Sequence, residues 1–244
     1  PILNPYKHQK KPKHPEVNHN LGIIKISRNK VLEALPLFKI AIEINPKIDQ
    51  FWLSYADALI RANKFEEAKD ISQKIIKSNP ELAKAHLNLG NALLKLEKLN
   101  DAELSFKKTI NLDPKLKDAH YNLGVLLQKI NKLNDAESSY KKALELNPDF
   151  AEAHNNLGII AKDLGKLDEA VINYKKAIIF KPKIAETHNN LGNILKEMDK
   201  FDEAQICFNK AIELKPDFTE AHYNLANLLN DKGELLAAIN CYKK

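Results

Sequence analysis

The chain has 244 residues, 44% of them apolar and 29% charged, with a formal net charge of +6. That apolar content can bury ample surface, yet no stretch approaches the run of about 18 apolar residues that a membrane-spanning helix needs. The signatures G-x-x-x-x-G-K-[ST], G-x-G-x-x-G, H-E-x-x-H, C-x-x-C and G-x-S-x-G are all missing, so neither an enzyme nor a cofactor is expected in this segment.

Residues 1–14 form a basic, proline-rich leader with Lys7, His8, Lys10, Lys11, Lys13 and His14, read as a linker or the end of an upstream repeat. From there the chain keeps a beat. Proline recurs at 46, 80, 114, 148, 182 and 216, each gap being 34 residues, and Pro12 falls on the same beat. A fixed period of this length marks a stacked repeat array. Seven copies align at 15–48, 49–82, 83–116, 117–150, 151–184, 185–218 and a cut-short 219–244.

Each copy predicts two helices joined by a turn. In the third copy, apolar residues fall at helical spacing as Leu87, Leu89, Leu93, Leu94 and Leu96, then as Leu104, Phe106 and Ile110. Between the helices, Asn63, Asn131, Gly165, Asp199 and Gly233 share one place, where a left-handed backbone is expected. Glu97 stands there in the third copy and predicts local strain or a different turn. Proline ends the second helix of each copy, and Pro36, inside the second helix of the first copy, predicts a kink. The twentieth place is always alanine (Ala34, Ala68, Ala102, Ala136, Ala170, Ala204, Ala238), and the eighth is always glycine or alanine. Both let helices approach closely.

The order within a copy is a large residue, then leucine and glycine, then alanine, an aromatic four places on, and proline. It resembles the tetratricopeptide repeat (TPR), over about 230 of the 244 residues. The fourth place departs from the family's tryptophan: Trp52 keeps it, His86, His120, His154, His188 and His222 replace it, and the first copy has Asn18. This suits a slot that needs a flat ring between helices more than an indole. The resemblance implies an all-α fold, a right-handed alpha-alpha superhelix or solenoid of antiparallel helix pairs. Its inner surface would come from the first helices and its outer surface from the second.

Function should then lie on the inner surface. The second, fifth or sixth, ninth and thirteenth places of a first helix share one face. The sixth is asparagine in Asn20, Asn88, Asn122, Asn156, Asn190 and Asn224, with Ser54 in the second copy. An amide both donates and accepts, so a ladder of amides can grip the backbone of an extended peptide. The ladder looks like the one lining the repeats of O-linked N-acetylglucosamine transferases, although asparagine is common at this place throughout the family. Arg61, Lys84, Lys95 and Lys129 join it from the early and middle copies, beside Leu53, Leu87 and Tyr121. Later copies add Glu152, Asp163, Glu186, Glu197, Glu220 and Asp231, partly offset by Lys162 and Lys196. A bipolar groove is expected, set for a peptide with an acidic or apolar half and a basic half. The family's clamp for chaperone C-termini is not expected, since of its residues only Lys84 fits.

Other chemistries fare worse. The five histidines cannot share a zinc ion, because ligands must meet within about 2.1 Å of the metal, and equivalent atoms one repeat apart cannot. Cys207 and Cys241, one repeat apart and on the order of 10 Å from each other, are read as free thiols. Lysine pairs (Lys107–Lys108, Lys141–Lys142, Lys175–Lys176, Lys243–Lys244) follow Asp101, Asp135, Asp168, Glu169, Asp202 and Glu203 along the second helices. That order complements the helix dipole and keeps the outer face solvated, without the interleaved aromatics that nucleic-acid binding would need.

The reading is a non-catalytic scaffold for a protein or peptide ligand, without membrane or nucleic-acid partners, with the cytoplasm favoured. An alternative is the substrate-presenting region of a glycosyltransferase or sulfotransferase-like enzyme whose catalytic domain lies outside the segment. A third, an RNA-binding array like the pentatricopeptide proteins, would need a 35-residue period, which is absent. The chain starts at Pro1 and stops at Lys244 inside a second helix, which predicts a piece of a longer protein and end-to-end self-association of the truncated array.

Overall fold

A left-handed residue once every 34 positions is what folds this chain back on itself. A computed structural model describes residues 14–242, and every regular element among them is an α-helix. The expectations for the leader before His14 and for Lys243 and Lys244 lie outside the described residues. The chain divides into two units at Asn122 and Leu123.

The first unit holds α1 (Pro15–Ser27), α2 (Val31–Ile44), α3 (Asp49–Arg61), α4 (Phe65–Ser78), α5 (Ala83–Lys95) and α6 (Leu99–Leu112). The division falls within α7 (Lys117–Lys129). The second unit continues with α8 (Leu133–Leu146), α9 (Ala151–Asp163), α10 (Leu167–Phe180), α11 (Ala185–Glu197), α12 (Phe201–Leu214), α13 (Thr219–Asp231) and α14 (Leu235–Tyr242). Connections of a few residues make consecutive helices antiparallel neighbours, and each packs on the next within its unit.

Asn29, Asn63, Glu97, Asn131 and Asp199 have φ of 58–59°, and Gly165 and Gly233 have 73° and 80°. The residue after each donates its amide back across the helix end, as in Lys64 to the Leu59 carbonyl at 2.9 Å and Lys200 to Leu195 at 2.8 Å. This is the Schellman closure of a helix. Glu97 makes the same turn, with Lys98 donating to Leu93 at 3.0 Å. Strain is therefore the branch realised, and a different turn is not. Helix α2 continues through Pro36. The carbonyl that the proline leaves without a helical donor belongs to the exposed Leu32.

The two helices of a pair cross at the alanine and glycine places. Ala34, Ala68, Ala102, Ala136, Ala170 and Ala204 are wholly buried. At each helical glycine the aromatic ring of the partner helix fills the space that a Cβ would need. A Cβ on Gly90 would meet Phe106 at 2.6 Å, one on Gly124 would meet Tyr140 at 2.7 Å, and one on Gly192 would meet Phe208 at 2.6 Å. The second copy swaps both sides together, with buried Ala56 where the first and the third to sixth copies have glycine and buried Ser72 where they have a ring. In the last copy the small residue is Ala226, and the aromatic Tyr242 is half exposed, its hydroxyl bonded to Asn227.

One hydrogen bond recurs at the join between copies. Trp52 Nε1 donates to the Pro46 carbonyl at 2.9 Å. His86, His120, His188 and His222 place Nε2 at 2.9 Å, and His154 at 3.0 Å, from the carbonyl of the proline six residues earlier. A carbonyl only accepts, so in each of these bonds the imidazole Nε2 is the donor. What the fourth place needs is thus a flat ring with an outward N–H. That explains why histidine replaces tryptophan.

Candidate peptide-binding faces

In the first unit the first helices α3 and α5 bring several of the expected residues to one cleft of about 240 Å³, where Leu53, Ser54, Lys84, Leu87 and Asn88 line a common wall. Asp57 and Asp118 line it too, so the cleft is not uniformly basic. Arg61 is spent on Asp57, its Nε 2.7 Å from the carboxylate one helical turn back. Lys84 and Lys95 are exposed and make no ion pair among the described residues. Tyr121 and Asn122 are half-buried.

The asparagines act largely as struts between neighbouring helices. Asn88 Nδ2 donates to the Leu53 carbonyl at 3.2 Å, and Asn122 Nδ2 to Asn91 Oδ1 at 2.7 Å. In the second unit Asn156 donates to the Tyr140 hydroxyl at 3.0 Å, and Asn224 to Asn189 Oδ1 at 3.0 Å. Ser54 receives Gln50 at 3.1 Å and lies 2.9 Å from His19 Nε2. Asn190 is half-buried and makes no hydrogen bond among the described residues, so its amide is uncommitted.

Acidic residues of the second unit meet partners that their spacing concealed. Glu152 pairs with Lys181, and Glu186 with Lys215 at 3.5 Å. Asp231 takes Lys196 at 2.8 Å. Glu220 accepts from the buried Asn189 at 2.9 Å, which makes a chain Glu220–Asn189–Asn224 across α11 and α13. Asp163 and Glu197 stay exposed and make no ion pair among the described residues, and Lys129 is exposed on α7. Asn189 was missed by residue reading, as was Asn155, which accepts from the buried Thr187 at 3.1 Å. The doubled asparagines Asn155–Asn156 and Asn189–Asn190 were the available signal.

No group of three or more acidic, cysteine or histidine side chains stands ready for a metal among the described residues. Cys207 and Cys241 are free thiols, and burial pushes the Cys207 thiol up to about 11. Along the second helices, Lys107 binds Glu103 at 2.6 Å, Lys142 binds Glu145 at 2.5 Å, and Lys141 binds Glu137.

Tetratricopeptide repeat profiles match residues 118–150 and 185–218, 139–172 and 207–240, 25–87, and 83–116, and a TPR repeat profile matches 160–199. The chain belongs to the tetratricopeptide-repeat family. Among solved structures, this TPR chain is similar to YrrB, described as a TPR protein with an unusual peptide-binding site. Identity is 26% and the TM-score 0.60, over 80% of this chain and 97% of YrrB. It is 28% identical to MamA, with a TM-score of 0.60 over 66% of this chain and 94% of MamA. Pseudomonas aeruginosa pilF shares the fold at 18% identity and a TM-score of 0.75, over 87% of this chain and 97% of pilF. No curated protein matches the sequence. The TPR chain is a repeat scaffold of the protein-interaction type, and none of its described helices is long and apolar enough to cross a membrane.

Proposed function

We propose that this chain is a non-catalytic scaffold whose first-helix faces hold extended peptide segments. The observation that carries the reading is the cleft of the first unit, where apolar Leu53 and Leu87 lie beside Ser54, Asn88 and the exposed Lys84. Apolar walls supply affinity, while a few amides and one free cation supply direction and preference. YrrB, at 26% identity, is described as binding peptide, which supports the same use of the fold.

Each face has its own preference. In the first unit Lys84 and Lys95 favour an acidic segment. In the second, Glu186 and Glu220 favour a basic one, which would displace the exposed Lys215 from Glu186. Exposed ion pairs of this kind exchange at little cost, so their presence does not close the face.

The test is to select peptides from a random library on the whole chain, then measure them against variants. Lys84→Ala with Lys95→Ala should weaken acidic peptides about tenfold, and Glu186→Lys with Glu220→Lys should do the same to basic ones. Asn190→Ala is the cleanest ladder variant, because Asn122 and Asn156 also brace the array. Selected peptides that ignore all these changes would overturn the reading.

A further inference from the structure

The first helix of a copy has two packing sides. One meets its own second helix at the glycine or alanine place, as Gly22 meets Phe38. The other carries the third, seventh and tenth places, which at about 100° per residue fall on one stripe away from the glycine. In the six later copies the third and tenth places are all buried, and the seventh is buried except for the half-buried Leu89. Within each unit that side packs on the second helix of the copy before: α3 on α2, α5 on α4, α9 on α8, α11 on α10 and α13 on α12. At the α10–α11 join, Val171 and Tyr174 lie in one apolar cluster with Leu191 and Ile194, the seventh and tenth places of α11.

In the first copy this side is open. Val17 is 44% exposed, Leu21 37% and Ile24 45%, at places that the later copies bury. The matching side is open in the last copy. Ile239 is 48% exposed and Tyr242 50%, where the equivalent Val171 is 9% and Tyr174 1%. Helix α14 carries no charged residue, whereas every other second helix carries at least one within its first eight residues. The two open sides are therefore the two halves of one recurring interface, and contiguous apolar surface of this kind calls for a cover.

We propose that α14 of one chain seats on α1 of a second copy, so that copies join head to tail in the register of consecutive repeats. Ile239 and Tyr242 of one copy then cover Leu21 and Ile24 of the next, as Val171 and Tyr174 cover Leu191 and Ile194. The residues before α1 do not carry the pattern that this side requires. On the 34-residue beat Pro1 stands at the place of Val171, Asn4 at that of Tyr174 and Lys7 at that of Ala177. A second copy offers an isoleucine and an aromatic ring at the first two of these places. The contact joins two different surfaces, so a joined pair still presents one open side of each kind and can take a further copy. It is independent of the peptide-binding faces, whose residues it does not use.

The experiment is sedimentation of the whole chain over a range of concentrations, beside two variants. Leu21→Lys with Ile24→Lys spoils the α1 side, and Ile239→Lys spoils the α14 side. All three positions are exposed and lysine is a good helix former, so circular dichroism should show both variants folded. Serine at the same positions is the milder change should lysine disturb folding. The parent chain should gain mass as concentration rises. Each variant alone should stay a single chain where the parent assembles, a weakening of about tenfold or more. Mixed in equal amounts, the two variants should form pairs and stop there, because each keeps one intact side. The proposal is overturned if the parent stays a single chain throughout, if either variant alone assembles as the parent does, or if the mixture fails to pair. Pairing of the Ile239→Lys variant with itself would show α1 meeting a second α1, and would overturn it as well.

Discussion

Gly158 and Tyr174 occupy one space: a Cβ on the glycine would lie 2.7 Å from the ring, and Tyr174 is 1% exposed, so the ring cannot withdraw. Gly158→Ala should cost about 1–3 kcal/mol by overpacking, reduced by up to about 1 kcal/mol of helix propensity. The second copy offers the reverse case. Ser72→Phe should destabilise while Ala56 keeps its methyl, and Ala56→Gly added to it should recover stability. A double-mutant cycle by denaturant unfolding measures this, and additive effects would refute the shared space.

Glu97 holds a left-handed backbone that costs a non-glycine residue about 1–2 kcal/mol. Glu97→Gly should raise stability by up to about 1 kcal/mol, since glycine enters this region freely but loses more entropy on folding. Thermal melts of the variant and parent decide it. A lower Tm would mean that the glutamate side chain contributes more than its backbone strain removes.

The histidine hydrogen bonds predict an asymmetry between two substitutions. His188→Phe keeps the flat ring but leaves the Pro182 carbonyl without its donor, and should cost about 1 kcal/mol. His86→Trp restores the arrangement seen at Trp52 and should change stability by less than about 0.5 kcal/mol. Equal effects of the two would show that the N–H is incidental.

Glu137 supplies a pH test. The Lys141 ammonium bonded to it, with Lys166 adding, holds its carboxyl below the ordinary glutamate range. A lowered native value means that the ionised form stabilises the fold at neutral pH, and that this contribution is withdrawn as pH falls through the lowered value. Glu137→Gln should therefore lower Tm at pH 7, and that difference should shrink steadily as pH falls below the free glutamate value of about 4.3. A constant difference across the range would count against the ion pair.

Much of this fold was legible because a repeat states its constraints several times. The left-handed place could be read from Asn63, Asn131 and Gly165 together, which exposed Glu97 as the exception. The paired change of Ala56 and Ser72 was visible in the same way, but its meaning needed the ring to be seen filling the glycine site. The faces were less legible. Lys181 and Lys215 lie 29 residues after the glutamates they neutralise, across a join between copies, so no helical spacing links them. The asparagines looked free because a one-helix reading cannot see the next helix, where Asn88 finds the Leu53 carbonyl and Asn224 finds Asn189.

Trp52 is the single tryptophan of the chain, and it sits on the ring-to-carbonyl bond of the first unit with the Lys74 ammonium 4.2 Å over its ring. Its emission is therefore a local gauge. An array held together neighbour by neighbour can open in one stretch while another stays folded. Circular dichroism sums every helix, whereas the indole sees only the join at Pro46. If the two signals melt together, the repeats share one cooperative transition. If the indole leads or lags, the separation in temperature gives the stability of the first unit relative to the rest, without any label.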